Sequence, residues 1–356
     1  MKVLVTGSDG YIGVQLTQVL CERGHDVVGL DTGFYRDGWL YDGGPAPMTT
    51  VRRDVRHIRD EDVMGYDAVV HLAELSNDPL GQQNPTLTYE INHRGSVNLA
   101  LTCKRLGISR FVYSSSCSVY GAAADGIKTE DSETHPQTVY AECKVLVERD
   151  IRAMADDTFS PVFLRNATAF GASPRMRFDI VLNNLAGLAW TTREIKLTSD
   201  GSPWRPLVHV LDICEAIACA LDAPRETIHG EVFNVGATTQ NYRVKEIADI
   251  VAASFPGCAV SYGRSDGDRR SYRVSFDKIH AQLPGFSARR DAVTGARELY
   301  DVFRRISMSH ETFQFRAYTR LKQLDYLRMS RRVDDDLFWR SEPAYDTGTA
   351  YAHATP

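Results

Sequence analysis

The sequence of 356 residues predicts an α/β fold built on a parallel sheet, on three observations. Short apolar runs alternate with amphipathic helical stretches through the first half of the chain. The first run, Lys2-Val3-Leu4-Val5-Thr6, leads directly into three glycines spaced Gly7-x-x-Gly10-x-x-Gly13. A second run, Asp26 to Asp31, follows the intervening helix and ends in an acid.

Taken in order, residues 2–6 read as a buried strand, 11–23 as an apolar-periodic helix and 26–31 as a second strand. That is a βαβ unit of about 30 residues, the setting in which a glycine fingerprint carries meaning. Further apolar runs at 67–72, 110–114 and 160–165, with helical stretches at 85–106 and 140–154, extend the alternation. The pattern loosens after about residue 172. Beyond it come a helix at 178–191, short strands within 193–209, a helix at 212–222, a strand at 230–236 and helices at 243–255, 292–305 and 310–330. The expected organisation is a dinucleotide-binding domain over 1–172, completed by segments near 205–240 that return to its sheet. A smaller substrate-binding lobe with C-terminal helices takes most of 173–340, and 341–356 is a flexible tail.

The bulk numbers bound the function. A hydrophobic content of 43% and a charged content of 24% are ordinary for a globular enzyme. A net charge of −5 argues against a nucleic-acid partner. The sequence has no run of eighteen apolar residues, so no membrane association is expected. A strand from residue 2 with no signal peptide before it gives a cytoplasmic expectation. The seven cysteines are scattered without a Cys-x-x-Cys pair and read as reduced thiols. No cluster has metal-ligand spacing, so no metal is expected.

The glycine turn names the fold class as α/β of the Rossmann type, a doubly wound parallel sheet with a smaller C-terminal substrate-binding lobe. Gly7 permits the tight turn, Gly10 lets backbone approach a pyrophosphate, and Gly13 allows close packing of helix on strand. The helix N-terminus, with Tyr11 and Ile12 in its first turn, then faces the phosphates. A carboxylate at Asp31 accepts hydrogen bonds from the adenosine ribose and repels a 2′-phosphate, which favours NAD over NADP. Far downstream, Tyr140 and Lys144 lie one helical turn apart and share a face. A nearby ammonium favours phenolate and lowers a tyrosine pKa, so Tyr140 is a candidate acid/base for redox chemistry on an alcohol carbon.

These motifs, in this order, resemble the extended short-chain dehydrogenase/reductases that act on nucleotide-activated sugars, the group of NAD-dependent epimerases and dehydratases. The resemblance runs over about residues 1–285 and rests on Thr6 to Gly13, Asp54-Val55, His71-Leu72-Ala73, Asn92-x-x-Gly95-x-x-Asn98, Ser114 to Gly121 and Tyr140-x-x-x-Lys144. It implies that Asp54 and Val55 meet adenine, that Leu72, Ala73 and Ser114 run along the cofactor, and that Asn92 sits over its nicotinamide half. It implies that Lys144 hydrogen-bonds the nicotinamide ribose and that Ser116 orients the substrate hydroxyl. It also implies a homodimer, with helices 92–106 and 140–154 pairing across a two-fold axis.

On the substrate side, the resemblance assigns Asn184 and Arg205 to the sugar-nucleotide diphosphate, an arginine fork suiting that group. Arg270 in Arg264-x-x-Gly267-Asp268-Arg269-Arg270 resembles a segment near the nucleotide ribose. Ser76 and Asn77, and Thr168 where the family often has Asn, are expected to line the sugar pocket. The 4,6-dehydratases carry an Asp-Glu pair where this chain has Cys117-Ser118. Cys117 is therefore read either as a thiol passing a proton at a neighbouring carbon or as a small buried filler. The expected function is NAD-dependent epimerisation of a nucleotide-activated sugar through a transient 4-keto intermediate. The alternatives are a dehydratase with altered acid/base residues, a keto-sugar reductase and, outside the enzymes, a non-catalytic NAD-sensing regulator.

Overall fold

The buried runs pair edge to edge into one seven-stranded sheet. The computed structural model describes residues 1–43, 49–76, 78–122, 126–264 and 271–341. Its large sheet comprises β1 (Lys2–Thr6), β2 (Asp26–Asp31), β3 (Thr49–Arg52), β4 (Ala68–His71), β5 (Arg110–Ser116), β6 (Ser160–Asn166) and β7 (Val232–Val235). The order is β7-β6-β5-β4-β1-β2-β3, and every pairing is parallel. The order reverses between β1 and β4, which opens a crevice at the carboxyl ends of those strands.

The main helices are α1 (Tyr11–Glu22), α2 (Ser96–Arg105), α3 (Val139–Arg152), α4 (Val181–Thr192), α5 (Val210–Asp222), α6 (Val244–Ser254), α7 (Ala292–Arg305) and α8 (Arg320–Met329). Strand alternation sorts the central side chains onto two faces. Val3, Val5 and Val70 pack with Leu16 and Leu20 of α1 and with Ile213 and Ile217 of α5. Leu4, Val69 and Phe111 pack with Leu99 of α2, Val147 and Ile151 of α3, and Leu324 and Leu327 of α8. A run buried on both faces reads as continuous hydrophobicity, which is why Val3-Leu4-Val5 shows no polar interruption.

A third core holds the smaller lobe. Leu182 of α4, Ile247 and Val251 of α6, Leu299 and Phe303 of α7, and Phe170 converge there, and Tyr11 from the start of α1 inserts among them. Trp204–His209 pairs parallel with Thr168–Phe170 and antiparallel with Asn241–Arg243, so this returning stretch builds a separate three-stranded sheet. β7 does join the large sheet, beside β6. Among the described residues no helix is long and apolar enough to cross a membrane.

Two stretches differ from the sequence reading. Residues 85–106 form a short helix, Pro85–Thr88, a π-helical turn over Tyr89–Gly95 and then α2. Such π segments recur at functional sites; here the widened turn holds Asn92 buried beneath the 72–76 loop. Residues 310–330 divide into His310–Gln314, a tight turn at Arg316–Tyr318 and α8. The break lets the Tyr318 hydroxyl donate to the Trp39 carbonyl at 2.8 Å and swings α8 onto the nucleotide side of the molecule. Strand β3 has no signal in the sequence, since Thr-Thr-Val-Arg offers too little apolar character to read as buried.

Candidate active site

The glycine turn comes first in the chain and shapes one wall of a cleft of about 820 Å³. Gly7 has a φ of 75°, and a Cβ there would sit 2.8 Å from the Ala73 nitrogen. A Cβ on Gly13 would lie 2.2 Å from the Gly7 carbonyl oxygen. Both positions therefore exclude any side chain. Gly10 caps α1 in extended geometry without a side-chain hydrogen bond, so the first N–H groups of the helix stay available to an anion. This cradle fits the pyrophosphate of a dinucleotide. Ile12, Val55, Leu72 and Ala73 line the same cleft. Tyr11 lines it with its hydroxyl turned away, donating to the Gly171 carbonyl at 2.7 Å.

Asp31 ends β2 at the cleft wall, where its carboxylate accepts from the Gly33 N–H at 2.7 Å and the Asp9 N–H at 3.1 Å. Burial and the neighbouring Asp9 charge push its pKa up to about 6. Asp54 lines the cleft next to Val55, but its oxygens are held by Arg56, through Nε at 2.9 Å and Nη2 at 2.6 Å.

Opposite stands α3. Thr138 caps it by accepting from the Ala141 N–H at 3.2 Å, which starts the helix in time for Tyr140 and Lys144 to face the cleft. Lys144 is buried. Its ammonium donates to the Ser114 carbonyl and pairs with Glu74 Oε2 at 2.6 Å, and it lies 5.5 Å from the centre of the Tyr140 ring. Burial alone would lower its pKa, but Glu74, with Tyr140 and Glu148, outweighs burial and holds it above the usual lysine value. Glu74 also accepts from the Tyr113 hydroxyl at 2.5 Å. Burial raises its carboxyl pKa against the pull of Lys144 and Tyr113.

The sequence reading missed two acids that matter here. Glu74 sits in a loop with no periodicity to assign it a direction. Glu148 did carry a signal, because Tyr140, Lys144 and Glu148 fall at i, i+4 and i+8 on one helical stripe. Buried Glu148 takes the Arg165 guanidinium of β6, with Nη2 at 2.6 Å and Nε at 3.0 and 3.2 Å, and accepts from Ser115 Oγ.

Ser114 and Ser116 reach the cleft from β5. Ser114 Oγ accepts from Asn166 at 2.9 Å, and Ser116 Oγ accepts from the Ser118 N–H at 3.1 Å. Two candidate residues stand away from the cleft. Of the two readings of Cys117 the geometry matches the buried filler: it turns into the core beneath the sheet, donates to the Arg165 carbonyl at 3.1 Å and has its pKa raised by burial. Asn92 is fully buried and spends its amide on the Leu75 N–H at 2.8 Å and carbonyl at 3.0 Å; it holds the 72–76 loop from behind and does not line the cleft.

From the smaller lobe, Thr168, Asn184 and Arg205 line the cleft, as does Ser76 from the 72–76 loop. Asn184 donates to the Phe178 carbonyl at 2.9 Å, and Ser76 accepts from Arg177 at 3.2 Å. Asn77 and Arg270 lie outside the described residues.

Comparison with known proteins identifies the family and the fold. The sequence profile of the NAD dependent epimerase/dehydratase family matches residues 3–236. The chain is 27% identical over 300 residues to a UDP-glucose 4-epimerase of Corynebacterium glutamicum, covering 80% of this chain and 90% of that one. It is 30% identical over 272 residues to the UDP-glucose 4-epimerase of Lactobacillus helveticus, covering 70% and 80%. A solved structure of MoeE5 in complex with UDP-glucuronic acid and NAD superposes with a TM-score of 0.74 at 28% identity, covering 86% of this chain and all of that one.

The Asp31 carboxyl sets a pH window. Ribose hydroxyls need its ionised form, so affinity for NAD is expected to hold steady above about pH 7 and to weaken as pH falls through about 6. Titration calorimetry across that range should show the decline in the wild type and none in Asp31→Asn, whose affinity is low throughout.

Proposed function

Because this chain belongs to the NAD dependent epimerase/dehydratase family, we propose that it binds NAD and epimerises a nucleotide-activated sugar through a transient 4-keto intermediate. The observation that carries the reading is Tyr140 and Lys144 on one face of α3, in one cleft with the bare glycine cradle. Bound NAD supplies a reversible hydride acceptor. Tyr140 takes the proton of the sugar hydroxyl as the carbon is oxidised and gives it back on reduction. Lys144 keeps positive charge beside the phenol, and Ser116 orients the hydroxyl. Arg205 and Asn184 offer donors to a sugar-nucleotide diphosphate, and Thr168 and Ser76 border the sugar.

Epimerisation is favoured over dehydration by the state of the acids. Expelling water requires an acid and a base near the carbons next to the oxidised one. Of the carboxylates lining the cleft, Asp31 accepts two backbone N–H groups, and Asp54 is held by Arg56. Glu74 is paired with Lys144 and Asp179 with Arg177. Cys117 is withdrawn into the core. A 4-epimerase needs no second acid/base pair, since the keto sugar can turn over and accept hydride on its other face. The UDP-glucose 4-epimerases among the relatives support the same choice. The homodimer implied by the resemblance belongs to this proposal; Leu101 of α2, 49% exposed, is an apolar residue available to such a contact.

Incubation with UDP-glucose and a panel of related nucleotide sugars should give a new epimer of unchanged mass; a product lighter by one water overturns the reading. Tyr140→Phe should cut turnover by about 100-fold or more with NAD still bound, and retained turnover above a few per cent would remove Tyr140 from the role. Glu74→Gln leaves the buried Lys144 without its anion and favours the neutral amine, so the rising limb of the kcat/KM pH profile should move to higher pH by about one unit; an unmoved limb discounts Glu74. Gel filtration at micromolar concentration should show a dimer that Leu101→Glu dissociates.

A further inference from the structure

The C-terminal segment straps the two lobes together. Phe313 packs so closely on α4 that a Cβ on Gly187 would lie 2.1 Å from its ring. Past the turn at Arg316–Tyr318, α8 buries Leu324 and Leu327 under the nucleotide sheet. Gln323 donates to the Phe34 carbonyl at 2.8 Å, and Trp339 donates to the Thr32 carbonyl at 2.8 Å. This route brings Thr319, Arg320 and Leu321 to the wall of the cleft that also contains Gly10, Ile12 and Asp31. The matched family region ends at residue 236, well before the strap.

Arg320 is 4% exposed, and its guanidinium lies over the Tyr35 ring at 3.8 Å. No hydrogen bond from that guanidinium to a described residue is present, and its Nε is shut away from solvent without an acceptor. Arg320 meets Asp179 through its backbone N–H, at 3.2 Å. The nearby acids attract it through charge without a hydrogen bond to its guanidinium: Asp179 holds the Arg177 fork at 2.8 and 3.1 Å, and Asp31 accepts from Gly33 and Asp9. Burial and the charge of Arg177 hold the Arg320 pKa below its ordinary value. A buried guanidinium with unused donors is costly unless an anion meets it, and its planar fork matches phosphate oxygens. Its neighbours are Asp31, which ends β2, and Tyr35 just beyond it, where the adenosine half of a dinucleotide lies.

We propose that Arg320, carried into the cleft by the C-terminal strap, binds the pyrophosphate of the dinucleotide from the side facing the glycine turn, so that the strap retains the cofactor. The inference rests on NAD as the cofactor. The test is the rate of NAD release from purified holoprotein after dilution. Arg320→Met should speed release about tenfold or more, Arg320→Lys less, and Lys322→Met on the exposed side of the same helix should leave it unchanged. Arg320→Met should also weaken ADP-ribose and ADP binding while sparing adenosine. Unchanged NAD release with a lower melting temperature would make Arg320 a structural residue and overturn the proposal. So would a raised KM for UDP-glucose with unchanged NAD release, which assigns Arg320 to the substrate diphosphate. A wild-type protein with no affinity for NAD overturns the cofactor reading itself, before the variants are compared.

Discussion

The buried pair between Glu148 of α3 and Arg165 of β6 is the constraint on which the site depends. The proposed chemistry of Tyr140 and Lys144 requires α3 to stay in register with the sheet, and their own side chains contribute to that only through the Lys144 bonds to Ser114 and Glu74. Glu148, one turn beyond Lys144 on their stripe, ties the helix to β6 through Arg165 and to β5 through Ser115. Arg165 continues to the Tyr120 hydroxyl at 2.9 Å, which donates to Asn234 of β7 at 2.7 Å. Replacing such a pair by apolar residues can be neutral, but removing one partner alone leaves an uncompensated charge costing about 3–5 kcal/mol. The pair's contribution is therefore geometric: it sets where the phenol stands.

Charge around Lys144 follows the same logic one turn earlier. An unpaired ammonium in that position would lose its proton to burial. Glu74 prevents this, so Lys144 remains a permanent cation beside the phenol, with the Ser114 carbonyl orienting it. Asn92 secures the loop that holds Glu74 by bonding Leu75. The π-helical turn, the 72–76 loop and α3 thus form one mechanical unit behind the reacting groups. Facing them, Tyr11 couples the glycine turn to the smaller lobe by bonding Gly171, so the cofactor cradle and the substrate wall share one anchor.

Much of this was legible in the residues. The β1–α1–β2 unit could be read because a strand buried on both faces leaves an unbroken apolar run, and because only glycine tolerates the space at Gly7 and Gly13. Tyr140 and Lys144 could be placed on one face because helical spacing is fixed. Glu148 was within reach of the same argument. Glu74, Arg177 and Arg320 were not, since loop and strap residues carry no period that states their direction. Cys117 shows the converse: its neighbours in sequence line the cleft, but the chain turns into a 3₁₀ segment after Ser116, and that turn rotates the thiol into the core.

The sequence by itself determined the parallel-sheet class, the glycine cradle, the acid at the end of β2 and the phenol–ammonium pair, because each arises from local sterics or a short periodic spacing. Tertiary structure alone decided that Lys144 answers to Glu74, that the cleft acids among the described residues have partners, that Cys117 turns into the core and that Arg320 enters the cleft from 307 residues beyond Gly13. Those outcomes depend on which distant segments meet in space and on how burial alters charge, and neither is encoded in any single stretch of the chain.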